Sequence, residues 1–400
     1  MTHHREKLLF FIATLAQGGA ERLISELSFN LQDFEIIIVL SENKISYPYS
    51  GKMIVLGVPF PKNFFLKIYC YFLRFMKLRK VIVEEKPDYV VSFGAFANLM
   101  NVFLPSKVIL HTDSFYSTGR FRKSFWGLVL KVFARFFYNR AKVIVPMSLV
   151  ASQDLVENYG VQKEKIKVIY NPLNLEKIGF MSQEPVDAGF EALFSCPVVI
   201  TAGRLSKEKG HWHLIKAFKK FKERVPGATL VLLGEGEMKD TLENLAQDLG
   251  IANDVHFLGW QDNPFRFFSR STMFVLSSYF EGLPAALLEA MACGLPVVSA
   301  DCKSGPREII APASDIHKEA KEVEIGEYGI LVPPLEGKFF MLGLTEREEM
   351  LVSAMASLYQ DSLLKKKLGE NAKKRAEDFS MERILGDWKS LFTHDTILHA

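Results

Sequence analysis

Few cysteines and no long apolar run limit what this chain can be. Its four cysteines, Cys70, Cys196, Cys293 and Cys302, are scattered and form no Cys-x-x-Cys pair. Their spacing supports neither a zinc knuckle nor a disulfide framework, and a reducing cytosol fits best. No uncharged run approaches the roughly 18 apolar residues that a spanning helix needs, so an integral membrane protein is excluded. Low-complexity tracts and internal repeats are also lacking. With 48% hydrophobic and 24% charged residues the composition is that of a globular protein, not a disordered one. Residues Lys7 to Ala16 bear a superficial likeness to a secretion signal, but Gly18-Gly19 and a helical pattern follow, which reads better as strand, turn and helix.

Acidic residues are scarce in one half only. Residues 1–175 hold 23 Lys+Arg against 13 Asp+Glu, or +10, whereas the remainder holds 26 against 33, or −7. Such a split points the first half towards an anionic partner. Residues 60–83 contain no acid but carry Lys62, Lys67, Arg74, Lys77, Arg79 and Lys80, interleaved with phenylalanines and tyrosines. Residues 115–142 again lack acids and carry Arg120, Arg122, Lys123, Lys131, Arg135, Arg140 and Lys142 among aromatics. Both stretches read as amphipathic helices able to lie on an anionic membrane surface. There each cation would contribute about 1 kcal/mol, fading within a Debye length. The plainer reading makes the aromatics core and the cations their solvated edge. Nucleic acid is disfavoured, because no binding module is recognisable and the cations fall on aromatic amphipathic stretches.

Four hundred residues exceed what one core usually organises, so two domains are expected. Short apolar runs at 8–13, 35–40, 89–92, 107–110 and 143–145 alternate with amphipathic stretches, the rhythm of βα units on a parallel sheet. The rhythm stops at Tyr170-Asn171-Pro172 and restarts with runs at 198–202, 229–233, 255–258, 273–276 and 297–299. The expected division is therefore an N-terminal domain over 1–172, a linker over 173–195 and a C-terminal domain over 196–379. A last helix over 380–400, with Ser380 as its N-cap, would pack back on the first domain.

Two segments of the second half carry chemistry. After the run 198–202 a tight turn holds Arg204 and Lys209, at the carboxyl end of a parallel strand where doubly wound sheets bind ligands. A planar fork of donors and a movable point charge together suit a diphosphate leaving group, although a lone basic turn is also an ordinary solvated one. After the run 273–276 come Glu281, Gly282, Leu283 and Pro284 and then a helix carrying Glu289. Pro284 suits the first helical turn, and the free N–H groups of that helix start suit phosphate. Carboxylates accept hydrogen bonds from vicinal hydroxyls, so Glu281 can hold a transferred sugar and Glu289 a ribose. Alone, Glu281 could equally be a dipole-stabilising residue and Glu289 a surface residue of the helix. Gly234-Glu235-Gly236 invites a phosphate-loop reading, but a lone Gly-x-Gly is weak and reads as a turn.

Arg204-x4-Lys209-Gly210 together with Glu281-x7-Glu289 resembles the donor signature of family 4 glycosyltransferases, and Gly18-Gly19-Ala20-Glu21 resembles the glycine loop of their N-terminal domain. The resemblance implies the GT-B fold, an α/β architecture of two doubly wound Rossmann-like domains with the donor in the cleft between them. It also implies a retaining, metal-independent enzyme without cofactor, a UDP-sugar serving as co-substrate. By position, Arg204 and Lys209 would stabilise the departing nucleoside diphosphate, Glu281 the sugar, Glu289 the ribose, the backbone of Gly282 and Leu283 the phosphate, and the main chain at Leu258 the base. Gly18 and Gly19 would let a helix start approach the diphosphate or the acceptor, and His111 would contact the sugar or orient the acceptor. Its plainer reading is a structural histidine at a strand end. With no well-placed second carboxylate, a front-face displacement is expected, the leaving phosphate helping to deprotonate the acceptor.

Ser304-Gly305-Pro306-Arg307-Glu308-Ile309 and Tyr328-Gly329-Ile330-Leu331-Val332-Pro333 resemble a subgroup that transfers hexoses or N-acetylhexosamines to bacterial glycans. A polyprenyl-diphosphate-linked glycan is the expected acceptor, handled on the inner face of the cell membrane by a peripheral, cytoplasmic protein. Two other readings compete. A nucleotide-sugar epimerase of the same fold would need no acceptor and no basic aromatic helices. A peripheral lipid-binding protein with a decayed donor site would not be expected to retain Arg204, Lys209, Glu281 and Glu289 together.

Overall fold

A computed structural model describes residues 5–16, 18–61, 63–112, 116–117, 125–339 and 343–392. The chain forms two compact units, one from residues up to Pro172 together with those from Glu382 onwards, the other from Leu173 to Met381.

The first unit runs β1 (Lys7–Ile12), α1 (Gly19–Asn30), β2 (Glu35–Leu40), β3 (Lys52–Val55), α2 (Phe64–Glu85), β4 (Tyr89–Phe93), α3 (Ala95–Asn101), β5 (Lys107–Thr112), α4 (Phe125–Phe137), β6 (Val143–Pro146) and α5 (Leu149–Tyr159). Its six strands are all parallel, in the order β3-β2-β1-β4-β5-β6. Alternate strand residues feed opposite faces, as a pleat demands. Leu8 and Phe10 pack with Leu23 and Leu27 of α1, whereas Leu9 and Phe11 pack with Leu78 and Ile82 of α2. Val90 is in register with Val108, so α2 and α3 share one face of the sheet with α4 and α5. The other face is closed by α1 and by the last helix of the chain (Met381–Phe392), whose Trp388 and Phe392 are buried there.

The second unit starts with α6 (Leu175–Ser182) and continues β7 (Val198–Ala202), α7 (His211–Arg224), β8 (Thr229–Leu233), α8 (Lys239–Asp248), β9 (Val255–Phe257), α9 (Phe265–Phe268), β10 (Met273–Leu276), α10 (Ala285–Ala292), β11 (Val297–Ala300) and α11 (Pro306–Ile310). After these come β12 (Glu324–Ile325), β13 (Ile330–Val332), α12 (Glu346–Gln360) and α13 (Ser362–Ala376), and α14 is the last helix already placed in the first unit. The sheet order is β12-β13-β11-β10-β7-β8-β9, parallel except for the short β12 edge. A buried ion cluster clasps α7 to α12. Glu348 accepts from Lys216 at 2.9 Å and meets His213 Nδ1 at 2.5 Å, and it also closes a capping box with Thr345.

All ten apolar runs read from the sequence are strands. The expected linker is not one. Residues 173–195 contain α6 and a 3-10 turn folded onto the second unit, where Asn263 donates to the carbonyl of Met181 at 2.8 Å and Arg266 pairs with Asp187 at 2.8 Å. Ile178 and Val186 are buried there, and Phe190 and Phe194 pack against Phe267, but these apolar anchors are too few and too irregularly spaced to give a period.

Candidate active site

The second sheet reverses its direction of growth between β7 and β10. From β7 the chain moves outward to β8, and from β10 it moves outward the opposite way to β11. The carboxyl ends of β7 and β10 therefore flank a crevice of the kind in which open α/β sheets bind ligands.

On the β7 side the backbone is folded so tightly that side chains are excluded. A Cβ at Gly234 would lie 2.0 Å from the carbonyl oxygen of Gly203, and one at Gly236 would lie 2.4 Å from that of Leu205. Gly234-Glu235-Gly236 is thus a turn that nests against the Arg204 loop, and the amide of Leu205 donates to the carbonyl of Glu235 at 2.9 Å. The loop ends in a 3-10 turn, Lys207–Lys209, and then Gly210 at φ 58°. A Cβ at Gly210 would sit 2.5 Å from the carbonyl oxygen of Ser277, so glycine is required for both its left-handed backbone and this close approach. The contact draws Lys209 against the β10 loop. The amide of Tyr279 donates to the carbonyl of Glu208 at 3.1 Å, and the Ser277 hydroxyl donates to that of Lys209 at 3.2 Å.

Glu281 is the hub of the β10 side. Its buried carboxylate accepts from Lys209 Nζ at 2.7 and 2.9 Å and from the Ser278 hydroxyl at 2.6 Å. Its main chain is held too, because its amide donates to the carbonyl of Lys303 and its carbonyl accepts from the amide of Ser304 at 3.0 Å. The Ser304 hydroxyl donates to the carbonyl of Gly282 at 2.6 Å, which ties in the loop after β11 as a third wall. Arg204 is exposed, and among the described residues its guanidinium makes no ion pair or hydrogen bond. It is an uncommitted cation beside a committed one. Pro284 is the N-cap of α10 rather than its first helical residue, with Leu283 buried just before it and Glu289 buried within the helix. Leu258 follows β9, but its main chain is occupied. Its amide donates to Leu232 and its carbonyl accepts from Gln261 Nε2 at 2.7 Å.

Buried neutral groups line the Lys209–Glu281 pair on one side, while Arg204 faces solvent. Burial, and secondarily the Lys209 charge, push the His211 imidazole down to about 3, so it is neutral. Burial, with the Glu281 carboxylate next in importance, holds the Cys302 thiol well above its ordinary value. Fixed charges beside such neutral, water-poor groups act through a lower effective dielectric than in solvent.

The candidates of the first unit fare less evenly. Gly18 is the N-cap of α1, and a Cβ there would strike the Glu21 carboxylate at 2.1 Å, whereas at Gly19 the nearest neighbour is Asn171 Nδ2 at 3.8 Å. His111 does not offer itself to a sugar. Its side chain is 1% exposed, with ring centroids 5.0 Å from Phe93 and 6.1 Å from Trp388. Neither ring nitrogen has a partner among the described residues, and burial pushes its pKa down to about 3. The strand pleat aims this ring into the core under the last helix. Arg74 is likewise turned inward, whereas Lys77 stays exposed. Arg74 is 3% exposed, donates to the carbonyls of Val58 and Pro59 and stacks over Phe60 at 3.7 Å, and Lys77 donates to the carbonyl of Leu56 at 2.6 Å. Both satisfy carbonyls of the connection entering α2, and the buried Arg74 is thereby withdrawn from any membrane or diphosphate. Lys67 and Arg79 are exposed, and Lys80 lies 3.7 Å from Glu84. Lys62, Arg120, Arg122 and Lys123 lie outside the described residues. Ser278 and Ser304 were not legible as site residues, since a serine three residues before a carboxylate, or in another loop, carries no periodic signal.

The description Glycosyltransferase Family 4 matches residues 17–177, and Glycosyl transferases group 1 matches residues 195–324. The chain is 34% identical over 334 residues to an uncharacterized glycosyltransferase of Methanocaldococcus jannaschii, covering 80% of this chain and 82% of the relative. It is 29% identical, over 96% of its length and 98% of the relative's, to the N-acetylgalactosamine-N,N'-diacetylbacillosaminyl-diphospho-undecaprenol 4-alpha-N-acetylgalactosaminyltransferase of Campylobacter jejuni. A crystal structure of Anabaena HepE in complex with UDP and glucose superposes with a TM-score of 0.75 at 20% identity, covering 97% of this chain and 100% of that one, a likeness of fold. Joined to a switch-point crevice where Lys209 pairs with Glu281, these matches show that the chain belongs to the family 4 glycosyltransferases of the GT-B fold.

Proposed function

We propose that the enzyme transfers a hexose or N-acetylhexosamine from a UDP-sugar, with retention and without metal, to a polyprenyl-diphosphate-linked glycan at the inner membrane face. The observation that carries this reading is the Lys209–Glu281–Ser278 constellation, with uncommitted Arg204 beside it. A nucleoside diphosphate leaves with growing negative charge. Lys209, held by Glu281, and the free Arg204 stabilise that charge, the role that a metal ion plays elsewhere. Glu281, anchored through Ser278, accepts hydrogen bonds from sugar hydroxyls and fixes the ring for attack, and Glu289 does the same for the ribose. As the anomeric carbon–oxygen bond to phosphate breaks, the acceptor hydroxyl attacks from the same face. Its proton passes to the departing phosphate oxygen, so no protein base is consumed. The acceptor class is supported by the Campylobacter relatives, whose names specify diphospho-undecaprenol acceptors.

The test is a screen of UDP-sugars against short-chain polyprenyl-diphosphate glycans, with the anomeric configuration of the product read by NMR and chelator present throughout. Lys209→Ala is expected to lose about 100-fold or more in kcat. An inverted product, or turnover abolished by chelator, would overturn the mechanism. Conversion of the nucleotide sugar alone would favour an epimerase.

A further inference from the structure

We infer that the first two turns of α2 insert their aromatic side chains into the interfacial layer of an anionic bilayer. The inference rests on the membrane-borne acceptor proposed above, and it moves the contact from the cations of α2 to its apolar end.

Asn63 caps α2, its side-chain oxygen accepting from the amides of Phe65 and Leu66. The helix meets the sheet only from Cys70 onward, through Cys70, Arg74, Leu78, Val81 and Ile82. Ahead of that point the helix overhangs. Phe65 is 78% exposed, Tyr69 61%, and Phe64, Leu66 and Ile68 between 52% and 53%. Phe65, Tyr69, Phe72 and Met76 are spaced four, three and four apart, one stripe of the helix surface, and Arg79 three residues on ends that stripe with a cation. A soluble monomer seldom leaves so many large apolar side chains together in water. On the same face of the sheet α4 repeats the pattern, with Leu128, Val132 and Phe136 exposed at four-residue steps beside Lys131 and Arg135.

Charge decides between occupants. Residues 60–83 contain no acid, and among the described residues Lys67 and Arg79 make no ion pair. A second copy would bring these like charges together around the apolar stripe, whereas anionic headgroups supply both the countercharge and an apolar layer beneath. No helix among the described residues is long and apolar enough to cross a membrane, so the geometry is one of lying in the interface.

Co-sedimentation of the full chain with phosphatidylcholine vesicles, with and without phosphatidylglycerol, tests the inference, and donor turnover is measured on the same preparations. Wild type should bind the anionic vesicles. The triple variant Phe65→Gln, Tyr69→Gln, Phe72→Gln should keep its thermal midpoint, because these side chains are exposed, and should partition about tenfold or more weakly. Absent binding by wild type, or unchanged binding by the triple variant, overturns the inference. So does a lipid-free dimer that the triple variant makes monomeric while vesicle binding persists. Vesicle binding that follows the triple variant as expected, with no transfer to any lipid-linked acceptor, supports the membrane contact and sinks the acceptor reading instead.

Discussion

Replacing Ser278 by alanine removes one hydroxyl from a buried position and leaves the Glu281 carboxylate with Lys209 alone. The bond lost is short, 2.6 Å, and charge-assisted, and both partners are buried. Bonds of that kind contribute roughly 1.5–3 kcal/mol, which corresponds to roughly a 10- to 150-fold fall in kcat/KM if the bond holds Glu281 in its working position. The second unit should lose no more than that same range in stability and should stay folded, because Glu281 keeps both Lys209 contacts and its backbone pairing with the 303–304 loop. A double-mutant cycle isolates the claim. Ser278 touches the sugar through Glu281 only, so Ser278→Ala in a Glu281→Ala background should cost almost nothing further. Steady-state kinetics on the four proteins, with melting curves as a control, give the answer. If Ser278→Ala lowers kcat/KM by the same factor with and without Glu281, Ser278 acts on its own and the positioning argument is wrong.

Three other outcomes follow from the geometry. Gly210→Ala places a Cβ 2.5 Å from a carbonyl oxygen at φ 58°, and the second unit should lose about 2 kcal/mol or more in a denaturant titration; an unchanged midpoint would show that the two loops separate freely. Arg74→Met strands the carbonyls of Val58 and Pro59, so the first unit should melt earlier, while Lys80→Gln leaves both melting and fold untouched; equal melting of the two variants contradicts the inward assignment of Arg74. His111 has a folded-state pKa near 3 against 6.5 for the free imidazole. Below 6.5 the unfolded chain therefore binds a proton that the native state refuses. Stability is full above that pH and declines by up to about 1.4 kcal/mol per unit as pH falls towards 3. His111→Phe should flatten the first unit's pH–stability profile between pH 6.5 and 4, and a profile parallel to wild type would mean that the ring is solvated.

The sheet strands were legible because a doubly wound sheet buries both faces, so each central strand is a continuous apolar run bounded by turns. β3 escaped that logic. It is an edge strand, Lys52–Val55, with half-exposed or exposed residues and a single neighbour. α6 escaped it too, since one short helix with a single buried residue, Ile178, and a polar tie to Asn263 shows no apolar period. In the site, Lys209 follows β7 and Glu281 follows β10, and because parallel topology carries both loops to one sheet end the two side chains meet there. Ser278 and the 303–305 loop depend on a hydroxyl rotamer and on a crossing of two loops, neither of which leaves a period.

The misread cations of α2 show where composition stops being informative. Absence of acid over residues 60–83 marks surface charge in the sequence, yet the helix turns Arg74 under itself, because 70, 74, 78 and 81 fall on the buried stripe. A guanidinium can be buried there because the connection entering the helix offers two carbonyls and a phenyl face in one place. The same rotation that hides Arg74 presents Phe65, Tyr69 and Phe72 outward. Arg74 and the leading aromatics therefore exchange the positions that the sequence alone would assign them, while Lys67, Lys77, Arg79 and Lys80 stay exposed. The membrane question on this unit turns on which side chains leave water, and net charge alone does not decide it.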